Sequence, residues 1–418
     1  MEPPALRRSD HLTFKGNLRE TRHGWLRLTP AYSVHLVGEL LAEASRESQV
    51  LDPFCGTGTT ALVCAERGIR AETTDINPFL LWLCEAKGRS YRETELTALR
   101  STARTVVSAI RDRSATAAWT PPIHRIERWW DDATLAALGR GLATIRALSA
   151  AAEPIEGGRA VPDLLLVAFC RTLIERAQVS FGHQSMSFAR GRGAAPVVEP
   201  VAAAEAVAVA WDGAVESVAR SASTPISTPP QAVLCDARNL REQLPADRYD
   251  VVITSPPYPN RMSYIRELRP YMYWLGYLCD GRSAGELDWQ AIGGTWGCAT
   301  SNVGKWSPEG SGAIPHAGFD ELVARIAERS PLLSRYVHKY FHDMVRHVAS
   351  LRAVLKPGGV AHYIVGNSKF YDVLVPVERV FASLFEAEGL EHVEVRAIRK
   401  RTSKRELYEY VVSARKPF

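Results

Sequence analysis

Apolar positions along this chain follow two rhythms, and their alternation sets out an architecture. Short apolar runs at Val50–Phe54, Ile69–Ile76, Ala232–Cys235, Tyr249–Thr254, Val360–Val365, Glu391–Ile398 and Leu407–Ala414 read as strands. Helical spacing fills the intervals. Thr59–Arg67 predicts a helix closed by Gly68, and Pro78 opens another through Leu80, Leu81 and Leu83. Pro331–Val354 is strongly helical and stops at Leu355–Gly359 (LKPGG), where proline and paired glycines predict a turn; Pro376–Glu388 follows as a helix. Strands alternating with helices and closing in a hairpin predict a doubly wound α/β sheet.

Between Tyr91 and Pro230 the rhythm changes. Alanine-rich amphipathic stretches at Glu95–Arg111, Ala133–Ala147, Leu164–Arg176 and Val201–Ala219 are separated by breakers at Pro121-Pro122, Gly157-Gly158 and Gly191–Pro196. We expect three parts: residues 1–90, a helical insertion at 91–230 that serves as a target-recognition subdomain, and residues 231–418. Arg282–Gly318, rich in Gly, Ser and Trp, reads as a long loop. No internal repeat is present.

Composition narrows the setting. At 418 residues and 46% hydrophobic the chain can bury a sizeable core, yet no apolar run approaches the length of a membrane span, and DLLLVAF at Asp163–Phe169 is too short to be one. The N-terminal MEPPALRRSD lacks a signal-peptide core, so a cytoplasmic protein is expected. Seven scattered cysteines with no CxxC pair argue against a disulfide framework or a zinc site. Net charge is only +5, but it is uneven: Val393–Phe418 carries eight Lys/Arg against three Glu, and Met1–Pro30 six against three acids. Basic ends of this kind suit phosphate contact as well as solvation.

Two strands end in residues that packing alone does not explain. VLDPFCGTGTT (Val50–Thr60) turns through Gly56 and Gly58, which tolerate positive φ and let backbone approach a ligand, and then opens a helix whose first N–H groups are free. The next strand closes on Asp75 in TDINP, an acid placed to accept from ribose hydroxyls. Ala61 stands where a dinucleotide fingerprint would carry its third glycine, which argues against a pyrophosphate ligand. The second phrase, VVITSPPYPN (Val251–Asn260), ends in Ser255, Pro256, Pro257 and Tyr258. Two prolines hold a loop extended and stiff, and Tyr258 offers a flat face on which an extruded base can stack.

The first phrase resembles the cofactor loop of S-adenosylmethionine-dependent methyltransferases, and the second the catalytic loop of those that methylate an exocyclic nucleobase amine. Together they resemble the DNA amino-methyltransferases of N4-cytosine or N6-adenine type, with the cofactor loop first and so in the non-permuted order. The resemblance covers roughly half the chain: the N-terminal 90 residues, Val233–Tyr277, and Leu351 onward.

This resemblance implies a Rossmann-like class I fold with seven strands, the last antiparallel. It implies S-adenosylmethionine held by Asp52, Pro53, Phe54, Gly56, Thr57, Gly58, Thr59, Asp75, Asn77 and Asp236. Asp52 would meet the methionine ammonium, Thr59 or Thr60 would cap the helix, Asp236 would accept from the adenine amine, and Asn77-Pro78-Phe79 would flank its ring. The stretch His23–Val37 resembles the segment that closes over the methionine end, with Pro30, Tyr32 and Ser33 as candidates; a plain amphipathic helix fits it equally.

Ser255 Oγ and the Pro256 carbonyl would be the two acceptors that draw the amine toward tetrahedral geometry. Serine at this position is commoner in cytosine-N4 enzymes, and Asp or Asn in adenine enzymes, so cytosine N4 in double-stranded DNA leads, with adenine N6 next and an RNA base after it. A restriction or defence nuclease is the expected companion, and displacement at a sulfonium requires no metal. Arg261 and Arg266, after the catalytic loop, and Arg399, Lys400, Arg401, Lys404 and Arg405 in the basic loop are the candidates for phosphate contact. Ser180–Gly193 and the Gly281–Gly318 loop both carry the polar and aromatic mix that base edges require. Tyr264, Tyr271 and Trp274 share a helical face that reads as core, and His338 and His342 read as surface residues.

Overall fold

The structure is a computed structural model that describes residues 12–13, 17, 21–28, 31–114, 119–151, 159–180, 187–188, 198–308, 310, 312–401 and 406–418. Its centre is a seven-stranded sheet. In chain order the strands are β1 (Gln49–Asp52), β2 (Arg70–Asp75), β3 (Gln231–Leu234), β4 (Tyr249–Thr254), β5 (Leu355–Gly366), β6 (Glu391–Lys400) and β7 (Tyr408–Arg415). Across the sheet they run β6-β7-β5-β4-β1-β2-β3. The first five and β6 are parallel in sense, and only β7 runs antiparallel to its neighbours β5 and β6. This is the doubly wound, Rossmann-like sheet with its last strand reversed. After β3 the chain returns past β1 to lay down β4, so the topological switch lies between β1 and β4, where a crevice opens beyond the strand ends.

Near-continuous burial of β1 (Val50, Leu51) and β4 (Val252, Ile253) reflects helices on both faces. On one side α1 (Val34–Leu40) and α2 (Thr59–Arg67) cover the sheet. Gly68, at φ +70, ends α2 in the left-handed region, as its place after the last periodic residue predicts. Opposite, α12 (Pro331–Val354) and α13 (Val377–Ala387) bury Tyr340, Phe341, Met344 and Phe381 against β4 and β5.

Four helices fill the Ala-rich region: α4 (Glu93–Arg111), α5 (Asp132–Ala151), α6 (Ala160–Glu175) and α7 (Pro200–Ala222). They share a core with α3 (Pro78–Gly88) and α8 (Tyr264–Leu275), built around Trp130, Phe169, Trp211 and Trp274. Tyr271 and Trp274 are buried here, whereas Tyr264 is half exposed.

Three local expectations are corrected. The stretch Arg282–Gly318 contains two helices, α9 (Gly281–Gln290) and α10 (Cys298–Lys305), and α11 (Phe319–Ala327) follows it. Asp280 and Ser283 form a reciprocal cap that nucleates α9, a Asp-x-x-Ser variant that the usual Ser/Thr-x-x-Glu pattern does not flag. LKPGG is not a turn outside the strand but a bulge within β5: the register against β4 jumps from Tyr249–Leu355 to Val251–Val360, with Gly358 at φ +75. Its backbone is pinned by paired hydrogen bonds between Gly358, Gly359 and Lys416. His338 and His342 are half buried and pack edge-on against Trp306, and His338 Nε2 lies 2.7 Å from the Gly312 carbonyl oxygen.

Candidate active site

The cofactor-type loop leaves β1 at Asp52 and reaches α2 through Gly58, whose φ of +73 places it at the N-cap. A Cβ there would stand 3.1 Å from Cys84 Sγ, so the position combines a left-handed backbone with close approach to α3. Beneath the loop Asp52 is 1% exposed. It accepts from Thr254 Oγ1 at 2.6 Å, from the Tyr32 hydroxyl at 2.8 Å and from the Phe54 N–H at 3.1 Å. Burial drives its carboxyl up to about 7, against the pull of those three donors and with help from the nearby Asp75.

Asp75, at the end of β2, binds both neighbouring turns. One oxygen accepts from the Gly56 N–H at 3.2 Å and the other from the Asn77 N–H at 2.9 Å, while burial holds its carboxyl at about 6. Asn77 is buried and caps α3 by accepting from the Phe79 N–H. At the end of β3, Asp236 is gripped by Arg238 at 2.6 Å, and Arg238 in turn reaches Asp343 at 3.1 Å. Despite opposing burial, these donors keep Asp236 below the ordinary carboxylate range.

The second loop leaves β4 directly beside the first. Ser255 Oγ donates to the Ile364 carbonyl of β5 at 3.0 Å, and the Tyr340 hydroxyl of α12 fixes the Pro257 carbonyl at 2.7 Å, next to that of Pro256. The Tyr258 hydroxyl donates to Glu409 Oε1 of β7 at 2.9 Å and lies 3.5 Å from Ser255 Oγ. Burial first, and the Glu409 carboxylate second, hold that hydroxyl well above its ordinary value, so it remains a donor. Both loops open onto one cavity of about 190 Å³. Asp75, Asn77 and Asp236 face it from one end and Ser255, Pro256 and Tyr258 from the other, with Phe54, Ile76 and Leu80 as apolar wall between.

The sequence-derived residues divide by placement. Tyr32, Pro53, Phe54, Gly56, Asp75, Asn77, Asp236 and Ser255–Tyr258 line the cavity. Asp52, Thr57, Gly58 and Thr59 lie behind it as support. Thr57 and Thr59 bond each other at 2.8 Å, and Thr60 donates to the Ile253 carbonyl at 3.1 Å, so neither Thr59 nor Thr60 caps α2 with its side chain. Ser33 is the cap of α1, and Pro30 lies outside the described residues.

Arg261 and Arg266 are exposed, next in sequence to the cavity-lining Asn260, Met262 and Ile265, with Arg261 at φ +63. Arg399 and Arg401 turn inward instead: Arg399 Nε donates to Glu409 Oε2 at 2.6 Å, and the Arg401 guanidinium sits 4.9 Å over the Tyr258 ring. Lys400 is half buried at the end of β6, while Lys404 and Arg405 lie outside the described residues. So does most of Ser180–Gly193, apart from a two-residue pairing of Val179–Ser180 with Ser187–Phe188. Among the described residues no helix is long and apolar enough to cross a membrane, and no group of three His, Cys, Asp or Glu could hold a metal ion.

Sequence reasoning missed Glu409, Tyr264, Tyr340 and Arg238. Glu409 had a signal: it occupies a buried phase of β7, where Val411 is also inward, and an acid at such a position requires a partner.

No family model matches the chain. A stretch of 69 residues is 33% identical to the Type II methyltransferase M.AvaI of Nostoc sp. and of Anabaena variabilis, covering 16% of this chain. A similar stretch is 35% identical to the Type II methyltransferase M.BsoBI of Geobacillus stearothermophilus. The match spans 14% of the length of these relatives. Among solved structures, the rRNA methyltransferase aviRa from Streptomyces viridochromogenes aligns over 92% of this chain and 86% of its own, at 13% identity and a TM-score of 0.27.

Proposed function

We propose that this chain is an S-adenosylmethionine-dependent methyltransferase that modifies the exocyclic N4 amine of a flipped-out cytosine in double-stranded DNA. The observation that carries the reading is the single cavity shared by the glycine-rich turn after β1 and the Ser-Pro-Pro-Tyr turn after β4. The likeness to Type II methyltransferases over a short segment supports it.

The residues at one end fit the cofactor. Asp75 keeps lone pairs for two ribose hydroxyls, Asp236 stays an ionised acceptor for an adenine amine, and the apolar wall suits a flat ring. When bound, S-adenosylmethionine supplies an electrophilic methyl group on a sulfonium. The chain's own part lies at the other end. Ser255 Oγ and the Pro256 carbonyl accept from the amine and localise its lone pair, while Ile364 holds Ser255 Oγ and Tyr340 holds the neighbouring Pro257 carbonyl, so the loop needs no reorganisation at the moment of reaction. Tyr258 supplies the stacking face. A companion restriction or defence nuclease, and the work of residues 91–230 in target recognition, belong to the same proposal.

The test is product identity. The protein is incubated with labelled cofactor and unmodified DNA or RNA, and the modified nucleoside is identified by mass. N4-methylcytosine in DNA supports the reading. N6-methyladenine moves it to the adenine class, label confined to RNA moves it to an RNA substrate, and no transfer despite cofactor binding refutes it. Ser255→Ala should lower turnover about a hundredfold and leave cofactor affinity within about twofold; equal loss of both contradicts the assigned role.

A further inference from the structure

Three groups outside the two motifs converge on Tyr258: Glu409 on β7, Arg401 just beyond β6 and Gly366 at the end of β5. Glu409, on β7 and only 6% exposed, bridges two donors: the Tyr258 hydroxyl at 2.9 Å on one oxygen and Arg399 Nε at 2.6 Å on the other. Arg401 lies 4.9 Å over the ring while its Nη1 donates to the Asn367 carbonyl at 2.8 Å. Gly366 presses on the edge, for a Cβ there would stand 2.9 Å from Tyr258 Cε2 and 2.6 Å from Arg401 Nη1. The ring is thus fixed at its hydroxyl, its face and its edge.

A pocket wall alone needs none of this. An acid on an inward phase of a strand costs free energy unless its partners matter, and an apolar residue would fill the space more cheaply. Arg399 and Arg401 both take part in this arrangement.

We propose that Glu409, held by Arg399, is a positioning residue for methyl transfer: it acts through the Tyr258 hydroxyl to fix the ring that receives the target base. The proposal rests on the methyltransferase reading of this cavity. It makes the β6–β7 edge part of the catalytic apparatus. The base must lie within a fraction of an ångström of its in-line geometry, so a platform free to rock loses turnover more than binding.

Two substitutions at Glu409 separate this role from plain charge pairing. Aspartate is shorter by one methylene, about 1.5 Å, and cannot reach both donors. It keeps the charged partner Arg399 and releases Tyr258. Glutamine keeps the reach and an acceptor oxygen for Tyr258 but loses the charge that Arg399 requires. If Glu409 positions Tyr258, E409D lowers kcat about ten- to hundredfold with little change in cofactor affinity, and E409Q retains most of it. Y258F keeps the ring and removes the hydroxyl, so it should match E409D, and the double variant should be no worse than either. The opposite order, with E409Q crippled and E409D active, would show an ion pair that merely holds the fold, and full additivity with Y258F would overturn the proposal equally.

A second readout is independent of turnover. In protein labelled with 3-fluorotyrosine, the fluorine resonance of Tyr258, assigned by its loss in Y258F, should show averaged, faster ring motion in E409D and stay near the wild type in E409Q. An unchanged resonance in E409D refutes the proposal. Absence of methyl transfer by the wild type would instead strike the functional reading, while the resonance still decides whether Glu409 fixes the ring.

Discussion

Asp52→Asn should make the protein more stable at alkaline pH and slightly less stable in acid, a crossing that follows from where Asp52 lies. The carboxyl is 1% exposed and burial raises it from 3.8 to about 7, so its ionised form is disfavoured in the fold by ~4 kcal/mol. The sign follows from proton counting. Between about pH 4 and pH 7 the folded chain holds a proton at Asp52 that the unfolded chain has released, so wild-type stability falls as pH rises through that window and levels off above 7. Asparagine cannot ionise, and the slope due to this group disappears. Its carboxamide can still accept from Thr254 and Phe54, but it turns an N–H₂ toward one hydroxyl partner, at a cost of about 1 kcal/mol. The variant should therefore gain roughly 3 kcal/mol over wild type at pH 8, match it near pH 4.5, and fall behind by up to about 1 kcal/mol only at lower pH. Urea denaturation without cofactor, run on both proteins from pH 4.5 to 8.5, measures the difference directly, and groups common to both cancel. A deficit of the same size for the variant at both ends of the range would refute the reasoning, because Asp52 would then be an ordinary ionised acceptor.

Other outcomes follow from close approaches and exposed charge. Gly58→Ala forces a left-handed φ of +73 on alanine and brings its Cβ to 3.1 Å from Cys84 Sγ, so it should cost about 1–2 kcal/mol in thermal melting and weaken cofactor binding; an unchanged melting temperature contradicts this. At Gly294 a Cβ would lie 1.6 Å from the Asp288 carbonyl oxygen, so Gly294→Ala should lose roughly 3 kcal/mol or more, read by the same melt. Replacing exposed Arg261 and Arg266 with alanine should each reduce the salt dependence of DNA binding by a log–log slope of about 0.9 and leave cofactor affinity alone. A slope that does not move would remove them as phosphate contacts.

Much of the sheet was legible because its strands are apolar runs bounded by turn residues, and the helices between them keep a 3.6-residue period. Val252 and Ile253 in β4 needed no tertiary information. What sequence could not supply were contacts between distant segments. Nothing local says that Thr254 would reach Asp52, that Arg238 would tie Asp236 to Asp343, or that Arg399 would turn inward to Glu409. The basic stretch read as a phosphate-binding surface because charge alone is visible in sequence, whereas the Glu409 that pairs with Arg399 lies on the strand beside it. The Gly-rich stretch read as a loop because composition outweighed a single capping pair, Asp280 with Ser283. The cavity itself was foreseeable only as a demand that two turns face each other.

Those two turns are built as one block, and this bears on how the site could work. Thr254, the residue before Ser255, donates to Asp52 at the root of the glycine-rich turn, and Thr60 in α2 donates back to the carbonyl of Ile253. Tyr32 joins both, at 2.8 Å from Asp52 and 2.6 Å from Thr60 Oγ1. Neither loop can shift by an ångström without breaking buried hydrogen bonds to the other, each worth about 1 kcal/mol or more to leave unmade. A ligand that orders the first turn therefore orders the second, and on the proposed reading the distance from donor methyl to acceptor amine is set by the fold before either partner arrives. Flexibility, where the reaction needs it, has to come from the Gln290–Ile292 turn after α9, which lines the cavity outside that block, since the β6–β7 edge is itself bound to Tyr258 through Glu409.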